Sequence, residues 1–129
     1  MKLSTFAIII TILAAAFGLA FIFIPDHVAA FYGLDMNTGG LWASRYFGAA
    51  LLFIAMIFWS YSSVSPAAKS WPKLLMFSII YDVIQLILTT VALINGVGNS
   101  TGWSTVALYA ILALGSAYFL GVCKRAREI

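Results

Sequence analysis

The chain has 129 residues, of which 64% are hydrophobic and 9% charged, against about a quarter charged in a soluble domain. A small globule buries only about two-thirds of the surface its unfolded chain exposes, so this composition excludes a soluble fold and calls for lipid as the solvent. The formal charge of +3 comes from seven basic and four acidic residues, and five of the basic ones fall in two short clusters beside apolar runs, Lys69/Lys73 and Lys124/Arg125/Arg127; this pattern points to membrane lipids as partners and not to a nucleic-acid surface.

Four apolar stretches of about 20 residues each match the thickness of a hydrocarbon core. The first, Leu3–Ile24, follows Lys2 and contains Ala14-Ala15-Ala16 in the manner of a secretory signal, but it is too long for a typical signal core and is expected to be a retained helix. A break from Pro25 to Gly40 follows. Its centre, His27 to Tyr32, is amphipathic and predicts a short interfacial helix, opened by Pro25 or capped by Asp26.

The second span is expected at Leu41–Tyr61, the third at Leu74–Ile94 and the fourth at Trp103–Val122. Between them lie a Ser-rich break with Pro66, Pro72 and two lysines, and an uncharged turn from Asn95 to Gly102. None of the runs alternates as a barrel strand does, and helices satisfy the backbone within each span. Trp42, Trp59, Trp71 and Trp103 fall near the expected interfaces.

Lys2, the Lys69/Lys73 pair and the C-terminal basic cluster alternate with loops free of Lys and Arg, which predicts both termini on the cytoplasmic side. The expected architecture is thus an all-α, four-helix integral membrane bundle forming one domain over residues 1–129, multi-pass in the cell membrane (the inner membrane in a bacterium). The two halves share a helix–loop–helix plan without a residue-level repeat; two spans per half would allow a parallel repeat, not an inverted one.

Two ionisable residues fall inside spans, Arg45 and Asp82, and intramembrane charges face a bundle interior, a cavity or a partner. Ser78, Asp82, Gln85 and Thr89 are spaced four, three and four apart and share one helical face. Asp82 then either ties helices together, with Arg45, Gln85, Thr89 and Tyr81 in the same polar cluster, or serves as a protonatable group in a proton or cation pathway. By depth along the helices, Gln85 or Thr89 is the closer match to Arg45, and Asp82 would need a helix shift, a water or Tyr81 between.

Small residues recur at helix-packing distance, Ala14 with Gly18, Ser44 with Gly48, and Ala113 with Ala117 and Gly121; they read as packing within the bundle, with self-association or docking onto another subunit as the alternative. His27 reads as a solvated loop residue in preference to a pigment or metal ligand, because one histidine cannot build a zinc site. The single cysteine, Cys123, excludes an internal disulfide or a CxxC pair and reads as a buried small residue, with palmitoylation as the alternative. Paired carboxylates, a serine–base constellation, a phosphate loop and a dinucleotide fingerprint are missing from the sequence, so no catalytic residue, metal or cofactor is expected.

The run Pro25-Asp26-His27-Val28-Ala29-Ala30-Phe31-Tyr32-Gly33-Leu34, followed by Ser44-Arg45-Tyr46-Phe47-Gly48-Ala49, resembles small bacterial four-helix proteins of the DoxX-like type, in which a proline-ended first helix, a Tyr-Gly loop and an arginine followed by glycine opening the second helix recur. The resemblance covers most of the chain in layout. It implies a compact bundle and, as in some relatives, association with membrane redox complexes; it transfers no catalytic residue, and the Asp82–Gln85 stripe is unmatched in the family pattern. The expected function is a noncatalytic accessory or structural subunit that packs against other membrane proteins or lipid-like cofactors. The alternative is an oligomeric proton-coupled transporter or channel protomer using Asp82; small multidrug transporters share this size, but their acidic residue lies in the first span, which here is uncharged.

Overall fold

The structure is a computed structural model that describes residues 1–128; Ile129, the last residue of the expected domain, lies outside the described residues. The described chain is all-α, with five helices: α1 (Leu3–Phe23), α2 (Pro25–Phe31), α3 (Thr38–Tyr61), α4 (Trp71–Ile94) and α5 (Gly102–Glu128). All but α2 are long and apolar enough to cross a membrane, the mark of a multi-pass membrane protein. Large apolar side chains stand exposed on their outer faces, as Phe53 at 61% and Leu114 at 72% illustrate, which is stable where the surrounding solvent is hydrocarbon.

The chain divides into two compact units, residues 1–64 and residues 65–129, each built around one helical hairpin. In the first, α1 and α3 run antiparallel, with Thr11 beside Ala55, Gly18 against Gly48 and Phe21 edge-on to Phe47 at 5.1 Å between ring centroids. Thr11 Oγ1 donates to the Ala7 carbonyl in its own helix at 2.9 Å and lies 3.4 Å from the Ala55 carbonyl. Buried Phe6, Ala7, Ile10 and Ala14 of α1 and Leu51, Ala55 and Phe58 of α3 form the core.

The short α2 forms where the sequence predicts a helix, and Pro25 takes the first helical turn, where its missing N–H costs nothing. Asp26 does not cap it; the N-cap residue is Ile24, without a side-chain hydrogen bond. Gly33 ends it at φ 65°, with Gly33 N–H donating to Ala30 and Leu34 N–H to Ala29, the paired bonds of a Schellman cap. Asn37 then opens α3 by accepting a 2.8 Å hydrogen bond from the Gly40 N–H, so α3 starts three residues before the expected Leu41.

In the second unit α4 and α5 are antiparallel, as Leu93 against Gly102, Tyr81 against Tyr109 and Ser78 against Ser116 require. α4 begins at Trp71 instead of the expected Leu74 because Pro72 sits in its first turn, where proline is tolerated. Trp71 is fully buried, unlike the exposed Trp42, Trp59 and Trp103. The turn after α4 repeats the earlier cap: Gly96 at φ 79°, with Gly96 N–H to Leu93 and Val97 N–H to Ala92. α5 runs past the expected Val122 through Lys124, Arg125 and Arg127 to Glu128, since these are good helix formers and cations in a last turn favour the helix dipole.

Candidate functional site

The polar stripe of α4 faces inward in part. Asp82 is 3% exposed, and Ser78, Tyr81, Gln85 and Thr89 are half-buried. Ser116 of α5, which is fully buried, donates to Ser78 Oγ at 3.4 Å, and Ser78 Oγ donates to Asp82 Oδ2 at 3.5 Å. These are long hydrogen bonds, but together they form a polar chain from α5 to the α4 carboxyl through a core that is otherwise apolar.

Ser78 and Asp82 meet because they are four residues apart on one helix; Ser116 reaches them because the antiparallel register sets it opposite Ser78. The sequence stripe did not include Ser116. Its signal was present as one of several hydroxyls in the last apolar stretch, at the height that the hairpin turn assigns to Ser78.

Tyr81 lies edge-on to Tyr109, ring centroids 6.1 Å apart, and Gln85 stands four residues on along α4. The Tyr81 hydroxyl and Thr90 Oγ1 are shielded and, among the described residues, form no hydrogen bond of good geometry. Among the described residues of this hairpin, no cation lies at ion-pair distance from Asp82.

Arg45 belongs to the first hairpin. Its guanidinium carbon stands 4.9 Å from the centroid of the Trp42 ring, three residues back on α3, and its Nε is buried without a hydrogen-bond partner among the described residues. The Trp42 ring thus gives it a cation–π contact within its own helix, one that the spacing of charges in the sequence does not signal.

The small residues divide into two groups. Ala14, Gly18, Ser44 and Gly48 are all buried, and a Cβ placed on Gly48 would stand 2.6 Å from the Gly18 carbonyl oxygen. Ser44 Oγ donates to the Gly40 carbonyl at 3.0 Å, which removes its hydroxyl from the apolar contact. In α5, by contrast, Ala117 is exposed, Ala113 half-buried, and the space over Gly121 open apart from Arg125 Nη2 at 3.9 Å. The buried positions of α5 are Gly102, Ser116, Phe119 and Cys123.

His27 is exposed and pairs with its neighbour Asp26, Nδ1 to Oδ1 at 3.3 Å. The hydrogen bond from His27 holds the Asp26 carboxyl below the usual carboxylate range. Among the described residues no group of three or more His, Cys, Asp or Glu side chains is placed to hold a metal ion. Cys123 is a free, buried thiol. Comparison with known protein families, with curated proteins and with solved structures finds no match to this chain.

Proposed function

We propose that the chain is a small noncatalytic integral membrane protein that serves as an accessory or structural subunit, packing against other membrane proteins or lipid-like cofactors. The observation that carries this reading is the contrast between its two small-residue faces. The Gly18–Gly48 face is closed inside a hairpin, whereas on α5 Ala117 is exposed and the space over Gly121 is open apart from Arg125, a surface that accepts the close approach of another helix. The link from Asp82 through Ser78 to Ser116 adds support, since a carboxyl tied to the facing helix in this way organises a hairpin without any reaction. Association with a membrane redox complex, which the DoxX-like layout suggests, belongs to the same proposal.

On this reading the spans assemble as a four-helix bundle in the cell membrane, both termini on the cytoplasmic side, with α2 at the opposite interface. A reporter placed at Asn99 and one fused to the C-terminus then fall in different compartments; the same compartment for both contradicts the arrangement. Purification in mild detergent tests the subunit role: stoichiometric recovery with defined larger membrane proteins is expected, and a homo-oligomer alone counts against it.

A second reading, a proton-coupled transporter or channel protomer, is favoured by one observation. Among the described residues of its hairpin, Asp82 is buried with a single long hydrogen bond and no cation beside it, the setting in which an intramembrane carboxyl carries a proton or binds a cation. Asp82-dependent flux in vesicles distinguishes it.

A further inference from the structure

Five basic residues gather at one end of the second hairpin. Because α4 and α5 are antiparallel, the start of one and the end of the other lie together, and Lys69 and Lys73 flank the α4 start while Lys124, Arg125 and Arg127 occupy the last turns of α5. All five are exposed, and none forms an ion pair among the described residues. The nearest acid in sequence, Glu128, is one charge against five. The opposite end of the hairpin, residues 95–101, carries no charge at all. Cations concentrated in this way repel one another unless anions stand between them.

Apolar surface begins directly beside these cations. Met76 and Phe77, three and four residues beyond Lys73 and on its helical face, are 47% and 62% exposed. Tyr118 is likewise exposed and lies seven residues before Arg125, again on one face. A ligand that satisfies both features is an amphiphile with an anionic head and an apolar tail. Free phosphate would leave the aromatic surface uncovered, and a zwitterionic lipid would bring its own cation to a site already crowded with them.

We propose that this end of the α4–α5 hairpin is a binding site for a phospholipid with a net negative headgroup. The phosphate is held between the α4 lysines and the α5 cations, with arginine supplying paired N–H donors and lysine a point charge. The acyl chains run along Phe77 and Tyr118 toward the middle of the hairpin. The proposal is independent of the subunit role.

Titration of the purified full chain with phosphatidylglycerol and with phosphatidylcholine, read by native mass spectrometry of the lipid adducts, tests it. At low salt the wild type is expected to bind phosphatidylglycerol at least about tenfold more tightly. The variant K124Q/R125Q/R127Q should lose that preference, and Lys2→Gln, on the other hairpin, should keep it. Raising salt to about 0.5 M should erode the preference in wild type, a readout that stands even if the triple variant fails to fold. Equal binding of the two lipids by wild type, or an unchanged preference in the folded triple variant, overturns the proposal. Displacement of phosphatidylglycerol by inorganic phosphate overturns its assignment to lipid.

Discussion

Gly18 and Gly48 bring the backbones of α1 and α3 into direct contact: a Cβ on either would fall within 2.8 Å of the other's carbonyl oxygen, and one on Gly48 would also stand 2.9 Å from the Phe21 Cβ. Two backbones cannot swing aside as a side-chain tip does, so a methyl group here separates the helices and loosens the contacts around Leu51 and Ala55. Gly48→Ala should destabilise the protein by about 1–3 kcal/mol, read as a lower thermal midpoint in detergent, whereas Gly121→Ala, with open space above it, should be neutral. Equal midpoints for the two variants would contradict the packing described.

Gly102 makes an instructive contrast. A Cβ there would also meet a neighbour at 2.6 Å, but the neighbour is Leu93 Cδ2, the end of a side chain with rotamers to spare. Gly102→Ala is therefore expected to cost well under half of the Gly48→Ala penalty in the same unfolding measurement; an equal penalty would mean that Leu93 is locked.

Arg45 depends on the Trp42 ring 4.9 Å away. Replacing the ring by an aliphatic group in Trp42→Leu should cost about 0.5–1 kcal/mol, and Trp42→Phe less, because a smaller π face remains. Thermal midpoints of the two variants give the order; a leucine variant as stable as wild type removes the contact from the account.

The Asp26–His27 pair is a surface feature. Its carboxyl, held low by the histidine hydrogen bond, contributes stability that is present above the ordinary carboxylate pKa and lost as pH falls through the lowered value. Both side chains are open to water, where solvent screens the pair. Asp26→Asn should melt with wild type at neutral pH, and a clear loss would show that α2 is pinned by this pair.

The long helices were legible because apolar runs of the right length leave the backbone no other way to satisfy itself in lipid. The short α2 was legible because Pro25 and Gly33 mark its two ends. Which face of each helix packs was only half legible. In α1 and α3 the smallest residue, glycine, marked the crossing. In α5 every face is apolar or small, so the Ala113–Ala117–Gly121 spacing competed with Ser116, Phe119 and Cys123, and the latter are the buried ones. The Asp82 stripe was visible as a spacing on one helix; Ser116 was not, because its place depends on the register between two helices. The contact of Arg45 with Trp42 was not legible either, because a cation over an aromatic ring three residues back leaves no charge pattern to read.

Asp82 is the residue on which the account turns: its carboxyl is treated as a tie closed by Ser78 and Ser116, not as a carrier. Asp82→Asn keeps the hydrogen-bonding shape and removes the ionisable group, so the variant should be as stable as wild type or more stable by about 1 kcal/mol. The deciding measurement reconstitutes wild type and Asp82→Asn side by side in vesicles and records proton and cation flux across a pH gradient, with thermal stability of both. The account predicts no flux above empty vesicles from either protein and a stable variant; flux from wild type that disappears in a folded Asp82→Asn would contradict it.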